Sequence, residues 1–130
     1  QLLTAIAATT SAITVSATCG SQTTTAQVSV SGKTIDRLEI LPSSDVLLSM
    51  SFDTTYALKA YVYYADGSNE EVTELTTWTA THPSSSQVVV TVSNTSPTIG
   101  LVTAQRIQDI DHVSAEYASF TDKITIAVTP

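Results

Sequence analysis

Charge is what this chain has least of. Only 13 % of its 130 residues are charged, and five Lys or Arg stand against twelve Asp or Glu, for a net charge of −7. No basic stripe is present to neutralise phosphates, which argues against nucleic-acid binding and against attraction to an anionic membrane surface. A single cysteine, Cys19, excludes a disulfide within the chain. A lone cysteine in such a setting is expected to be a small buried hydrophobe rather than a reactive thiol. Two histidines and one cysteine without clustered spacing argue against zinc. No G-x-S-x-G motif occurs. The opening "QLLTAIAATTSAITV" has the look of a signal-peptide core, but it lacks a basic flank and is broken by Thr and Ser. No later run approaches the roughly 18 apolar residues of a membrane span. The composition therefore points to a soluble chain with no membrane insertion.

In place of charge the chain carries hydroxyls. Ser and Thr make up about 30 % of it, far above ordinary usage. Thr suits a pleated surface. Hydrophobic residues reach 42 %, enough for one packed domain. Alternation of apolar and polar residues runs through "VSATC", "AQVSVSG", "RLEIL", "YALKAYVYY", "VVVTVS", "VSAEY" and "KITIAV". A period of two marks strands with one buried face. Between them lie the turn signals "LPSSD", "ADGSN", "THPSSS" and "SNTSPTIG". Many short strands at this spacing predict an all-β sandwich.

The two ends of the chain also resemble each other. Val15-Ser16-Ala17 matches Val113-Ser114-Ala115, and Val28 and Val30 match Ile126 and Val128 at the same offset of 98 residues. Leu3-Thr4-Ala5 matches Val102-Thr103-Ala104 one residue further on. A period this long fits tandem whole domains. Residues 32–130 are then one complete domain. Residues 1–31 are the closing strands of a preceding copy, about three strands that cannot bury a core alone. The joint falls in "SGKT", Ser31 to Thr34.

These segments, in this order, resemble the bacterial immunoglobulin-like domains of group 2. The resemblance rests on "LEILP" (Leu38 to Pro42), "YVYYADGS" (Tyr61 to Ser68), "EVTELTTWTA" (Glu71 to Ala80), "GLVTA" (Gly100 to Ala104) and the final "HVSAEY" and "KITIAV" strands. Two departures stand out. The glycine that usually follows the second strand segment is absent from "LLSMSFDTTYAL", so that turn needs another geometry. The usual small loop before the penultimate strand is the polar "QRIQDIDH". The resemblance implies an immunoglobulin-like β-sandwich serving as spacer or adhesive module in bacterial surface or phage virion proteins, without catalytic residues.

The acidic cluster Asp66, Glu70, Glu71 and Glu74 is the strongest candidate for chemistry. Asp66-Gly67 lies between two alternating runs, which reads as a hairpin tip. Gly67 can adopt positive φ, and Asp66 can cap the turn with its own side chain. Glu70 and Glu71 are neighbours on a strand, so their side chains face opposite ways. A helix–loop–helix calcium site needs Gly sixth and Glu twelfth, and "DGSNEEVTELTT" has neither. A weak calcium site at this turn stays open at this stage. Trp78 reads as a core anchor on a central strand, with Leu58, Ala60 and Val62 across the sheet; a carbohydrate-stacking platform is the alternative. Tyr61 and Tyr63 should face outward together as a contact surface. Asp111-His112 reads as surface, His82-Pro83 as the start of a loop, and "NTS" at Asn94 as a glycosylation acceptor pattern.

The sequence thus predicts a non-catalytic structural module of a surface fibre, adhesin stalk or virion appendage, acting outside the cell. Its expected partners are other copies of itself or neighbouring domains of the same polypeptide, with no cofactor. A glycan- or host-protein-binding module is the alternative, resting on the Tyr61 and Tyr63 face and on loops at the ends of the sandwich.

Overall fold

A computed structural model describes residues 4, 12–29, 32–43, 45–82, 87–107 and 110–130. The chain divides into two compact units, Gln1–Thr34 and Ile35–Pro130.

In the first unit, strands β1 (Ile13–Cys19) and β2 (Gln22–Val28) form an antiparallel hairpin in which Ile13 faces Val28 and Cys19 faces Gln22. Gly20 occupies the connecting turn at φ +63°, a left-handed conformation that costs glycine nothing sterically. Ile13, Val15 and Ala17 share one face with Val28 and Ala26. Thr14, Ser16 and Thr18 share the other. There the Thr18 and Thr23 hydroxyls meet at 3.0 Å, and Gln27 Nε2 donates to Thr14 Oγ1 at 2.9 Å. Cys19 is exposed, contrary to the buried position expected of it. The hairpin has only two strands among the described residues, and Ile13, Val15, Ala17 and Ala26 on its apolar side are exposed. The third strand expected near Leu3 to Ala5 lies outside the described residues, apart from Thr4.

The second unit contains β3 (Ile35–Leu41), β4 (Leu48–Ser51), β5 (Thr55–Ala57), β6 (Lys59–Tyr64), β7 (Asn69–Glu71), a 3-10 turn at Thr73–Leu75, β8 (Thr77–Thr81), β9 (Val90–Val92), β10 (Leu101–Ala104), β11 (Ile110–Tyr117) and β12 (Phe120–Thr129). One sheet runs β4-β12-β11-β8, with β4 parallel to β12 and the other pairs antiparallel. Two three-stranded sheets, β3-β6-β7 and β5-β10-β9, are antiparallel throughout. Their inner faces share one core with the four-stranded sheet, including Ile40, Val62, Trp78, Val102, Val113 and Ile124. The result is an all-β sandwich of immunoglobulin-like type.

"YALKAYVYY", read as one strand, is two. The alternation of exposed and buried side chains continues without a break from Ala57 through Leu58 and Lys59 to Ala60. The pairing partner changes at Leu58, from β10 to β3 and β7. Leu58 N–H donates to Gly100 O at 3.0 Å at the crossover. Gly100 has φ +80°, and a Cβ there would lie 2.8 Å from the Leu58 carbonyl oxygen. The glycine of "GLVTA" is thus required both by its conformation and by its neighbour. The turn that lacks the usual glycine is solved by Asp53, which takes φ +60° itself. Phe52 N–H donates to Thr129 O, and Asp53 N–H donates to Ala104 O. A short polar side chain tolerates the left-handed region better than most.

Candidate functional site

The outer face of the β3-β6-β7 sheet carries the aromatic residues singled out from the sequence. Tyr61 and Tyr63 alternate with the fully buried Val62 and are half-buried. Cross-strand pairing places Glu39 and Glu71 on either side of Tyr61, and Arg37 and Asn69 on either side of Tyr63. The Arg37 guanidinium lies over the Tyr63 ring at 4.0 Å and also reaches Glu39 at 3.6 Å. Tyr61 Oη donates to Glu71 Oε2 at 3.0 Å, and Lys59 Nζ donates to the same oxygen at 3.1 Å. Thr73 Oγ1 donates to the other oxygen, Glu71 Oε1, at 3.1 Å. The hydrogen bond from Lys59, then that from Tyr61, hold the Glu71 carboxyl below its ordinary pKa. The same bonds to Glu71 raise Lys59 and Tyr61. This face is a lattice of matched charges with one guanidinium laid on the Tyr63 ring, and Glu39 and Glu71 are already engaged by neighbours.

The acidic cluster is dispersed by the hairpin that holds it. Gly67 N–H donates to Tyr64 O at 2.9 Å, and Tyr64 N–H donates to Ser68 O at 2.9 Å. Gly67 has φ +83°, as its place in the turn requires. Asp66 Oδ1 accepts from Ser68 N–H at 2.9 Å. Glu70 accepts from Tyr64 Oη at 2.9 Å, which raises the Tyr64 pKa, while Glu71 engages Lys59 and Tyr61. Among the described residues, no three His, Cys, Asp or Glu side chains are grouped to hold a metal ion.

Trp78 is 2 % exposed, and its indole Nε1–H donates to Thr73 O at 3.3 Å. It differs from the expectation in its strand: β8 is an edge of the four-stranded sheet, not a central strand. Leu58, Ala60 and Val62 belong to the same core but stand on β6 and the crossover before it, in the opposite layer. The sheet edge at Trp78 is closed by a side chain. Asn94 Oδ1 accepts from Trp78 N–H, and Asn94 Nδ2 donates to Trp78 O, both at 2.8 Å. The amide of the "NTS" pattern therefore substitutes for a strand, and a glycan on Nδ2 would disrupt that bond.

Asp111 is buried, contrary to the surface position expected of it. It is 1 % exposed, and its Oδ2 accepts from Val89 N–H at 3.2 Å and from Val90 N–H at 2.9 Å. His82 Nδ1 meets the same oxygen at 2.6 Å. The pair joins the end of β8 to the start of β9 and β11. It also explains "QRIQDIDH", whose Asp111 and His112 belong to a strand rather than to a loop; residues 108 and 109 lie outside the described residues. His112 points the other way, with Nδ1 3.2 Å from Thr125 Oγ1. Nothing in the local sequence marks Asp111 as buried, because its partner His82 is 29 residues away. No nucleophile joins this His–Asp pair among the described contacts, so it ties strands together rather than assembling a triad. A depression lined by Gln87, Val88, Thr91, Gln105 and Arg106 presents no His, Cys or carboxylate among these described residues.

No known family model matches the chain, and no curated protein matches it. Among solved structures, the crystal structure of domains 4 and 5 of the S-layer protein SbsC is similar, with a TM-score of 0.57 over 90 % of this chain at 15 % identity. The chain spans 57 % of the length of that structure. At this identity the likeness establishes shared fold: the all-β sandwich described above is also the architecture of those S-layer domains.

Proposed function

We propose that this protein is a non-catalytic structural module of an extracellular assembly, built from sandwich units repeated along a polypeptide and belonging to the group 2 bacterial immunoglobulin-like domains. A surface layer, fibre, adhesin stalk or virion appendage would each use such a unit to hold length and position. The observation that carries this reading is the match between the two hairpins. With the offset of 98 residues between Val15 and Val113, each of the seven pairs from Ile13–Val28 to Cys19–Gln22 falls on a pair from Asp111–Ile126 to Tyr117–Phe120. The two-residue turns fall at the same place, and their first residues share a positive φ, Gly20 at +63° and Ala118 at +48°, while Ser119 at +69° has no positive-φ counterpart in the first hairpin. An S-layer neighbour in fold agrees with such a role. The acidic, hydroxyl-rich surface resists non-specific association. Antibody raised against residues 35–130 should label intact source cells or virions; labelling only after permeabilisation would overturn the proposal.

A second reading, a glycan- or host-protein-binding module, is favoured by the Arg37, Tyr61 and Tyr63 face, where two half-exposed rings are held rigid. Loss of cell or glycan binding in Tyr61→Ala with Tyr63→Ala, at unchanged melting temperature, would establish it.

A further inference from the structure

We propose that the β1–β2 hairpin is the closing element of another sandwich unit, supplied by an upstream unit of the same fold in the same polypeptide. That unit adds an antiparallel strand to the outer edge of β1 and presents an apolar surface where the second unit presents His82. The inference rests on the tandem reading above and specifies the partner of one surface. In the second unit the equivalent hairpin is enclosed. Val113, Ala115, Ile124 and Ile126 are 0 % exposed, and β8 pairs with the outer edge of β11 from His112 to Glu116. In the first unit the positions of Val113 and Asp111 are held by Val15, 38 % exposed, and Ile13, 51 % exposed. Ala17 and Ala26 are likewise exposed. The strand edge Thr14 to Thr18, equivalent to the edge that β8 covers, has no partner strand among the described residues. A two-stranded ribbon with one apolar face is marginal in water, and an uncovered edge invites pairing.

The differences between the hairpins describe the missing partner. Asp111 is replaced by Ile13. In the second unit Asp111 satisfies His82 and the buried N–H groups of Val89 and Val90. A second copy of that unit closing over Ile13 would leave two amides and an imidazole facing a hydrocarbon, each a buried polar group without an acceptor. Its strands are also already paired with their own β11 and β12. A second copy of this chain is therefore the wrong occupant. The upstream unit must lack a histidine there. Thr24 stands where Asp122 accepts from Ile40 N–H at 2.7 Å, and a hydroxyl oxygen can accept the same bond.

The test places a thiol on the hidden face. Val15→Cys in a Cys19→Ser background is introduced both into the 130-residue chain and into the native polypeptide as its source makes it, and maleimide labelling rates are compared. The expected result is fast labelling of a monomeric 130-residue chain and labelling slower by about a hundredfold in the native polypeptide. Equal rates would overturn the inference. So would a native polypeptide no longer than 130 residues, or slow labelling that accompanies dimerisation of the 130-residue chain, which would make a second copy the occupant. Hydrogen exchange at Thr14 to Thr18 in unsubstituted protein gives the same comparison without a mutation. Equal labelling rates on cells that still bind the antibody described above would remove this inference and leave the surface role standing.

Discussion

Two residues explain features of the second unit that pattern alone leaves open. Gly100 is fixed by φ +80° and by the Leu58 carbonyl oxygen that a Cβ would approach to 2.8 Å. Gly100→Ala should therefore cost about 3 kcal/mol in urea unfolding of the second unit, from backbone strain together with overpacking against the Leu58 carbonyl oxygen and the Thr73 methyl. Asp111 is fixed by three donors around one buried oxygen. Asp111→Ala should also cost about 3 kcal/mol, because the Val89 and Val90 amides lose their acceptor in a dry place. Glu71 acts at the surface and so contributes through pH. Its pKa is lowered in the folded chain, chiefly by Lys59, so its contribution is present above the ordinary glutamate range and lost as pH falls through the lowered value. Glu71→Gln should flatten the acid limb of the stability-versus-pH curve, measured by melting temperature, while the neutral-pH plateau falls slightly. An unchanged acid limb would mean that the Lys59 and Tyr61 bonds do not persist in solution.

At the scale of elements, the turn between β11 and β12 is the clearest point of strain. Ala118 and Ser119 both have positive φ, at 48° and 69°, in a two-residue hairpin loop. Asn and Gly meet that demand with less strain. Ala118→Asn with Ser119→Gly should stabilise the second unit by about 1 kcal/mol, read from the urea midpoint. Alternation made the strands legible in the sequence, because inner and outer faces follow from period two whatever the partner strand. The same indifference to partner hid the switch of sheets at Leu58 and placed Trp78 on a central strand. The Asp66-Gly67 turn was legible because its chemistry is local. The His82–Asp111 tie and the Asn94 amide clamp were not, because each is made by residues brought together only by the fold. The parallel pairing of β4 with β12 has no local signature either: Met50 meets Val128 across most of the second unit.

At the scale of the molecule, one hairpin is used in two settings. Enclosed between β4 and β8, it is the centre of a sheet; in the first unit its apolar side is exposed. The same register in both places is what the proposed tandem repeat requires of the two hairpins. The most direct test of this account is the intact mass of the native polypeptide from its source. The account predicts a mass well above the 13.7 kDa of these 130 residues, by at least the strands that complete the first sandwich. A native mass of 13.7 kDa would contradict it, since the first hairpin would then belong to no preceding unit.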